Sequence, residues 1–158
     1  MSTTAVNNIV RGGAQAKSRF PSALNLISSA ISYNQGDLMY LDQTNHLIKA
    51  LDSDAHGATF IGVAIQTVIN GKLTSAYQGT SVDAAQAIED VSGPVFDVVV
   101  NLKLKSGDAF TAGCAVYGTA VDAQTVSSTG TNLIGYFQDA AITAGSSSKG
   151  NVMLKAAI

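Results

Sequence analysis

The chain has 158 residues, a length that suits one domain with a hydrophobic core of its own. Only 13% of the residues are charged, about half of the ~25% share usual in soluble globular proteins, and the net charge is −2. The longest apolar stretch, residues 60–65, is too short to span a bilayer, so no membrane partner is expected, and the sparse charge instead predicts a surface covered by other protein chains.

The few charges are unevenly distributed along the chain. Arg11, Lys17 and Arg19 give the first 36 residues a charge of +3, whereas six lysines and eleven acids give residues 37–158 a charge of −5. Three basic residues are too few for the dense basic face of a nucleic-acid-binding protein. We therefore expect no nucleic-acid partner, and the basic segment favours an acidic protein surface as its target.

Residues 1–22 predict an extended N-terminal arm. The segment is rich in Asn, Gly, Ser and Ala without a sustained period, and the Phe20-Pro21 step disfavours helix at Phe20. Its Ile9, Val10 and Phe20 would gain from docking on another surface, and simple disorder of a chain end is the alternative interpretation. The opening Ser, Thr and Asn residues give no secretory signal, so we expect synthesis and use without export.

After the arm, residues 23–158 predict a β domain. Short apolar or β-branched runs alternate with turn residues about every ten positions, as in a β-sandwich or a small barrel. Asn70-Gly71 predicts a tight hairpin because both residues suit the positive φ angles of a type I′ turn, and Asn45-His46 predicts a second hairpin. The predicted strands are residues 38–41, 47–51, 60–65, 67–69, 73–77, 95–100, 115–117, 133–138 and 152–156.

One segment breaks this strand pattern. Residues 82–91 carry apolar side chains at helical spacing behind Ser81, a possible N-cap, and Ser92-Gly93-Pro94 would end the helix. The predicted fold class is therefore mainly β: a single barrel- or sandwich-like β domain with one short helix and an extended N-terminal arm.

The sequence also contains a faint internal repeat. Each copy starts with a Gly-Asp pair before a strand and ends in an apolar-Gly-apolar run, where the glycine would permit a bulge or a tight barrel corner. The first copy is Gly36-Asp37, residues 38–41 and Phe60-Ile61-Gly62-Val63-Ala64; the second is Gly107-Asp108, residues 115–117 and Leu133-Ile134-Gly135-Tyr136-Phe137. Two related β units packed together would form one barrel-like domain, and chance similarity is the alternative.

Motifs for nucleotide or acyl chemistry are incomplete. Gly71-Lys72 lacks the first glycine and the hydroxyl residue of a phosphate-binding loop. Residues 146–149 fit Ser-x-x-Lys, but they lie in a Gly/Ser stretch that predicts a flexible loop. Cys114 is the only cysteine, which excludes an intrachain disulfide and predicts a small buried hydrophobic residue.

The two histidines flank two aspartates without matching a metal or acid-base motif. His46 falls in a predicted turn and His56 in the polar loop 52–57, together with Asp52 and Asp54, so solvated surface is the favoured interpretation. We expect no catalytic residue, no cofactor, no metal site and no enzymatic activity. A small hydrolase with a triad assembled only in space is the alternative.

The order of these motifs resembles a family of small phage head proteins, the decoration or capsid cement proteins. The resemblance covers roughly residues 31–154 and rests on Gly-Asp before a strand, a Gly-Val-Ala strand (Gly62-Val63-Ala64), a glycine-led strand (Gly93-Pro94-Val95-Phe96) and the second Gly-Asp. The helical segment 82–91 departs from the family pattern. The resemblance implies a cement protein on an icosahedral shell, commonly a homotrimer at three-fold positions between capsomers.

The expected function is therefore that of a virion structural protein on the outer capsid surface, made in the host cytoplasm and bound to the major capsid protein. A phage tail or fibre-tip β module that binds host-surface glycans is the alternative. The residues expected to contact the shell or a neighbouring copy are those of the arm: Ile9, Val10, Arg11, Lys17, Arg19 and Phe20.

Overall fold

The computed structural model of the chain describes residues 31–64, 67–69 and 98–155, together with the backbone of strands β1 (Asn8–Arg11) and β6 (Lys72–Leu73). The predicted helix 82–91 and the arm residues Lys17, Arg19 and Phe20 lie outside the described residues.

The described part of the chain consists mainly of β-strands and contains one short 3-10 helix, Ala55–Thr59. The remaining strands are β2 (Leu38–Asp42), β3 (Leu47–Ala50), β4 (Phe60–Val63), β5 (Val68–Ile69), β7 (Val99–Leu104), β8 (Ala109–Phe110), β9 (Ala115–Gly118), β10 (Thr125–Ser127), β11 (Leu133–Phe137), β12 (Ile142–Thr143) and β13 (Lys149–Leu154). No helix in these ranges has the length and apolar character needed to cross a membrane.

Five of the strands close into a barrel. Strand β7 pairs in parallel with β10, and antiparallel pairs join β10 to β9, β9 to β11, β11 to β13 and β13 back to β7. The mainly β prediction is confirmed, and of its two predicted forms the chain adopts the barrel. Closure leaves the ring without a free edge, so its backbone groups are paired within the chain.

Alternating side chains explain why β7 lines the barrel. Val100, Leu102 and Leu104 are buried in the main core, whereas Asn101 and Lys103 between them are partly exposed. Burial of each Val or Leu side chain stabilises the fold by about 1.5–3 kcal/mol. The period of two therefore fixes which face of β7 points inward.

Strand β13, which pairs with β7, shows the same alternation of inward and outward residues, with a glycine at one inward position. Val152 and Leu154 are buried in the main core, and Gly150 takes the next inward position. A Cβ atom at Gly150 would collide with the ring of Phe137, which itself packs on Phe110 at a centroid distance of 5.4 Å. The glycine leaves the space that the phenylalanine ring fills.

A second sheet, in the order β3-β2-β4, lies between two apolar cores. Leu38 and Tyr40 of β2 belong to the main core, while Met39 between them packs into a second core. The second core consists of Ile31, Tyr33, Met39, Ile48, Ile61, Ala64 and Val68. Strand β2 thus joins both cores through its two faces.

Three tight turns start strands with the same hydrogen-bond pattern. In each, a glycine with φ between 81° and 90° is the third residue, and the fourth residue's N–H donates to the first residue's carbonyl. The glycine N–H donates to the backbone carbonyl of a residue on another strand or loop. The N–H of that second residue donates to the carbonyl of the fourth turn residue. The turns are residues 34–37, 105–108 and 111–114. Positive φ at the third position is the requirement of a type II turn.

The predicted repeat is present, although its second copy begins at a different glycine. In both copies a bulge places one extra residue before the glycine of the later strand: Ile61 before Gly62, and Ile134 before Gly135. Matching these bulges aligns Gly36 with Gly113, because only the 111–114 turn leads directly into β9. The turn at Gly107 instead starts the short strand β8, so the predicted starting point of the second copy was wrong.

Both predicted hairpins are confirmed by strand pairing. Asp42 lies opposite Leu47 in the β2–β3 hairpin, and Ile69 lies opposite Lys72 in the β5–β6 pair. The turn residues of the second hairpin lie outside the described residues.

Some local predictions were wrong. The polar loop predicted at 52–57 contains the start of the 3-10 helix, and strands β8, β10 and β12 were not predicted. Strand β10 was missed because its buried Thr125 and Ser127 are polar. Their hydroxyl groups donate to Asp122 and Asp108 at 2.8 and 2.5 Å, which offsets the cost of burial.

Candidate docking face

An apolar row crosses the outside of the barrel over four neighbouring strands. Ala115 of β9 lies opposite Tyr136 of β11, Tyr136 lies opposite Met153 of β13, and Met153 lies opposite Val99 of β7. We call these four residues the outer band. Directly opposed residues share one face of a sheet, and the neighbours Val152 and Leu154 fill the core, so Met153 faces outward.

Two residues of the outer band are exposed to a degree unusual for their type. Tyr136 is 39% and Met153 is 44% exposed, whereas Val99 is only 6% exposed. The two side chains are direct cross-strand neighbours, so they form one continuous apolar surface. Adjacent exposed apolar side chains of this kind mark contact sites more often than isolated ones do.

The surface beside the outer band is held in place by hydrogen bonds. Asn151 lies opposite Asn101, and the Asn101 side chain donates to the Asn151 side chain at 3.2 Å. The Asp139 carboxylate accepts from both the backbone N–H and the side chain of Asn151, at 2.8 and 3.0 Å. This network fixes the β7–β13 pair next to Met153.

Lysines lie near the outer band on β7 and on β13 or directly after it. Lys103 lies opposite Lys149, and Lys155 follows directly after the end of β13. Neither β7 nor β13 contains a carboxylate. Lys103 has an acidic neighbour, Asp122, at 3.5 Å, and Lys149 is exposed. The face is therefore apolar at its centre and positively charged at its margin.

Three residues of the predicted arm site lie on a strand next to this face. Strand β1, which contains Ile9, Val10 and Arg11, pairs antiparallel with β7 of its own chain, with Ile9 opposite Val100 and Arg11 opposite Val99. The register shifts between Ile9 and Arg11, which leaves Val10 as the extra residue. The backbone of Arg11 thus continues the row of the outer band by one more strand.

The remaining arm residues of the predicted site, Lys17, Arg19 and Phe20, lie outside the described residues. Of the three predicted residues on β1, Arg11 alone is paired with a residue of the outer band, and the contact of the arm with the shell or a neighbouring copy stays a prediction. The structure also shows that β1 adds a strand to the chain's own barrel, along the part of β7 that β10 does not pair with.

The two histidines are far less alike than the sequence indicated. His56 is stacked on the ring of Tyr40, with a centroid distance of 4.3 Å, and its Nδ1 lies 2.5 Å from an oxygen of Asp52. Burial, followed by the charge of Asp52, raises the pKa of Tyr40 above its ordinary value. His46 lies in the β2–β3 hairpin turn with φ of 56°. His56 is about half exposed, as its assignment to solvated surface required.

Asp54, the second aspartate of that sequence cluster, has a structural partner elsewhere. Its carboxylate accepts the backbone N–H groups of Thr131 and Asn132 at 2.9 and 3.1 Å, which ties the 3-10 helix to the loop before β11. Across the ranges that the structure describes, no group of three His, Cys, Asp or Glu residues could hold a metal ion. Cys114 is half-buried in the turn before β9 and packs against the main core.

Sequence reasoning missed Tyr136 and Met153, although one signal was present. Residues 133–137 are apolar on both faces of the strand apart from Gly135, whereas a strand with one solvent-exposed face alternates apolar and polar residues.

The chain matches no protein-family model and no curated protein sequence.

Proposed function

We propose that the chain is a non-enzymatic structural protein of a phage virion, a cement protein that binds the outer face of the capsid and stabilises contacts between capsomers. The observation that carries the proposal is the outer band, with exposed Tyr136 and Met153 side by side on the outside of a closed barrel. Their side chains lie outside the core of the barrel, and adjacent exposed apolar side chains support a contact with a partner at this face.

Composition supports the same proposal. Only 13% of the residues are charged, so little of the surface is specialised for contact with water alone. The motif order shared with decoration proteins, from Gly36-Asp37 to Gly135, supports a position on a phage head. Strand β1 brings the start of the arm beside Val99 of the outer band through its pairing with β7, which supports a contribution of the arm to the same contact.

The mechanism follows from linkage. A packaged genome pushes capsomers apart, and a protein that binds only the assembled shell shifts the equilibrium toward that shell. A homotrimer at a three-fold position would engage several subunits at once. Linked contacts raise the effective local concentration, so three weak contacts act as one tight clamp.

Co-sedimentation with purified heads tests this proposal. Heads prepared without the protein should take it up in a saturable manner, and electron microscopy should place it on the shell. The alternative, a tail or fibre-tip module that binds glycans, predicts label on tails and none on heads. A purified chain that stays a monomer and ignores both empty and filled heads would overturn the proposal.

A further inference from the structure

We infer that the outer band receives a surface of the capsid shell protein that is apolar at its centre and acidic at its margin. In this contact Tyr136 and Met153 are the apolar anchors, and Lys149 and Lys155 supply the positive margin. The inference rests on the proposed function, because it names the shell as the partner, and it adds where and by what chemistry the shell is bound.

The anchors satisfy the requirements of an interface centre. Tyr136 and Met153 project from paired strands of a closed ring, so their backbone is rigid and little order is lost when a partner binds. Tyrosine and methionine are both enriched at interface centres, and a tyrosine hydroxyl can hydrogen-bond at the rim of a buried contact. Val99, opposite Met153, is covered within the chain, so the two exposed anchors are Tyr136 and Met153.

The charge of the margin determines the kind of partner. Lys155 lies two positions from Met153 along β13 and Lys149 four positions, on the side of the strand that carries Met153. Lys103 and Asp122 pair at 3.5 Å and offset each other, whereas Lys149 and Lys155 outnumber the nearby Asp139, whose carboxylate accepts hydrogen bonds from Asn151. A partner with carboxylates around an apolar centre would therefore be attracted to this face, and a basic one would be repelled.

The test compares anchor variants with a matched apolar control. Tyr136→Thr and Met153→Thr shorten the anchors and introduce threonine, a β-branched residue that is favoured in strands. Val121→Thr removes a side chain that is 64% exposed in the loop between β9 and β10, outside the outer band. Each protein is titrated onto heads of the encoding phage prepared without it, and thermal unfolding by circular dichroism checks that each variant is folded.

We expect each anchor variant to bind heads about tenfold more weakly or worse, as residues at an interface centre do, while the control binds within about twofold of the unmodified protein. Lys149→Glu and Lys155→Glu should weaken binding and flatten its dependence on salt concentration. Gln43→Glu is the charge control, because it adds a negative charge at an exposed position of the β2–β3 hairpin, in a sheet that does not pair with β13.

The possible outcomes separate this inference from the proposed function. If the unmodified protein binds heads and both anchor variants bind equally well, the outer band is not the shell contact, while the cement function stands. If the anchor variants instead change the sedimentation coefficient of the free protein, the band joins two copies and the inference is wrong. If the unmodified protein does not bind heads, the proposed function fails together with the inference.

Discussion

At the scale of single residues, two aspartates in equivalent turns have opposite electrostatic environments. Asp37 and Asp108 are each the fourth residue of a glycine turn. Burial raises the pKa of Asp37, and this outweighs the hydrogen bonds donated by the Asn34 N–H and the Gln124 amide. Burial also acts to raise the pKa of Asp108, but there the hydrogen bonds from Ser127 and Ser128 prevail and lower it.

Asp37→Asn should therefore be tolerated or stabilising at neutral pH. A folded-state pKa above the unfolded value contributes stability at low pH, which is lost as pH rises through the folded pKa. Asparagine removes the buried charge, and the Gln124 amide can rotate to accept from it. We expect the free energy of unfolding at pH 7 to hold or to rise by up to about 1 kcal/mol. Urea denaturation at pH 7 and pH 5 measures it, and a large loss would contradict the assignment.

Asp108→Asn is the matched variant, for which we expect the opposite effect on stability. Because the folded-state pKa of Asp108 is lowered, its carboxylate stabilises the fold at pH values above the pKa of the unfolded state. This stability is lost as the pH falls through the folded-state pKa. The variant loses a charged acceptor for the Ser127 hydroxyl and the Ser128 N–H, so we expect a loss of about 1–2 kcal/mol at pH 7. Equal responses of the two variants would show that the turns do not differ as described.

Glycine at position 107 is required by backbone conformation alone. Its φ is 89°, and a Cβ atom there would meet nothing within 4 Å. Gly107→Ala should cost about 1 kcal/mol from the positive φ, with no contribution from packing. Gly145→Ala is the control, because it lacks a positive φ and its Cβ would only approach the Ser148 hydroxyl at 3.8 Å. Thermal melts compare the two, and equal stabilities would contradict the strain.

At the scale of elements, strand β1 and the barrel have separable roles. The ring of β7, β10, β9, β11 and β13 closes without β1, which adds only to the outer end of β7. The same strand reaches the outer band at Val99. The arm is thus placed to contribute to binding more than to folding.

Deletion of residues 1–22 should leave a folded barrel that no longer binds heads. The main core contains residues from position 38 onward, so its apolar burial survives the deletion. Amide exchange should accelerate at Val99 and Asn101, whose N–H groups point toward β1, and stay slow at Val100, whose N–H points toward β13. Co-sedimentation with heads measures binding, and unchanged binding by the truncated chain would refute the role of the arm.

At the scale of the whole molecule, hydrogen bonds connect the second sheet to the barrel. Leu38 N–H donates to the Ala123 carbonyl at 2.7 Å, and the Gln124 side chain donates to Asp37 at 3.0 Å. Leu38 and Tyr40 then enter the main core from β2. The sheet and the barrel therefore share one apolar interior, and the outer band lies on a body that such contacts keep rigid.

The proposed cement function predicts an effect on the thermal stability of whole heads. Heads that carry the protein should retain their DNA to higher temperature than heads prepared without it, because bound protein stabilises only the closed shell. Dye access to DNA during a thermal ramp gives the readout. Identical release temperatures at saturating protein would contradict the cement function while leaving simple shell binding possible.

The sequence by itself determined the class of fold and the position of its main turns. Sparse charge, short runs with period two, and glycine at positions of positive φ are local properties, so the β domain, both hairpins and the glycine bulges were predictable. Strand β10 was not, because its polar residues are buried only through partners such as Asp108, 19 positions away from Ser127.

Only the tertiary structure decided where the outer band lies. Tyr136 and Met153 are 17 positions apart, and whether each apolar side chain faces the core or the outside depends on barrel closure and on the bulge at Ile134. A shift of one residue in register would reverse the two faces. The pattern within a strand predicts that it has two faces, and the pairing between strands decides which face is left for a partner.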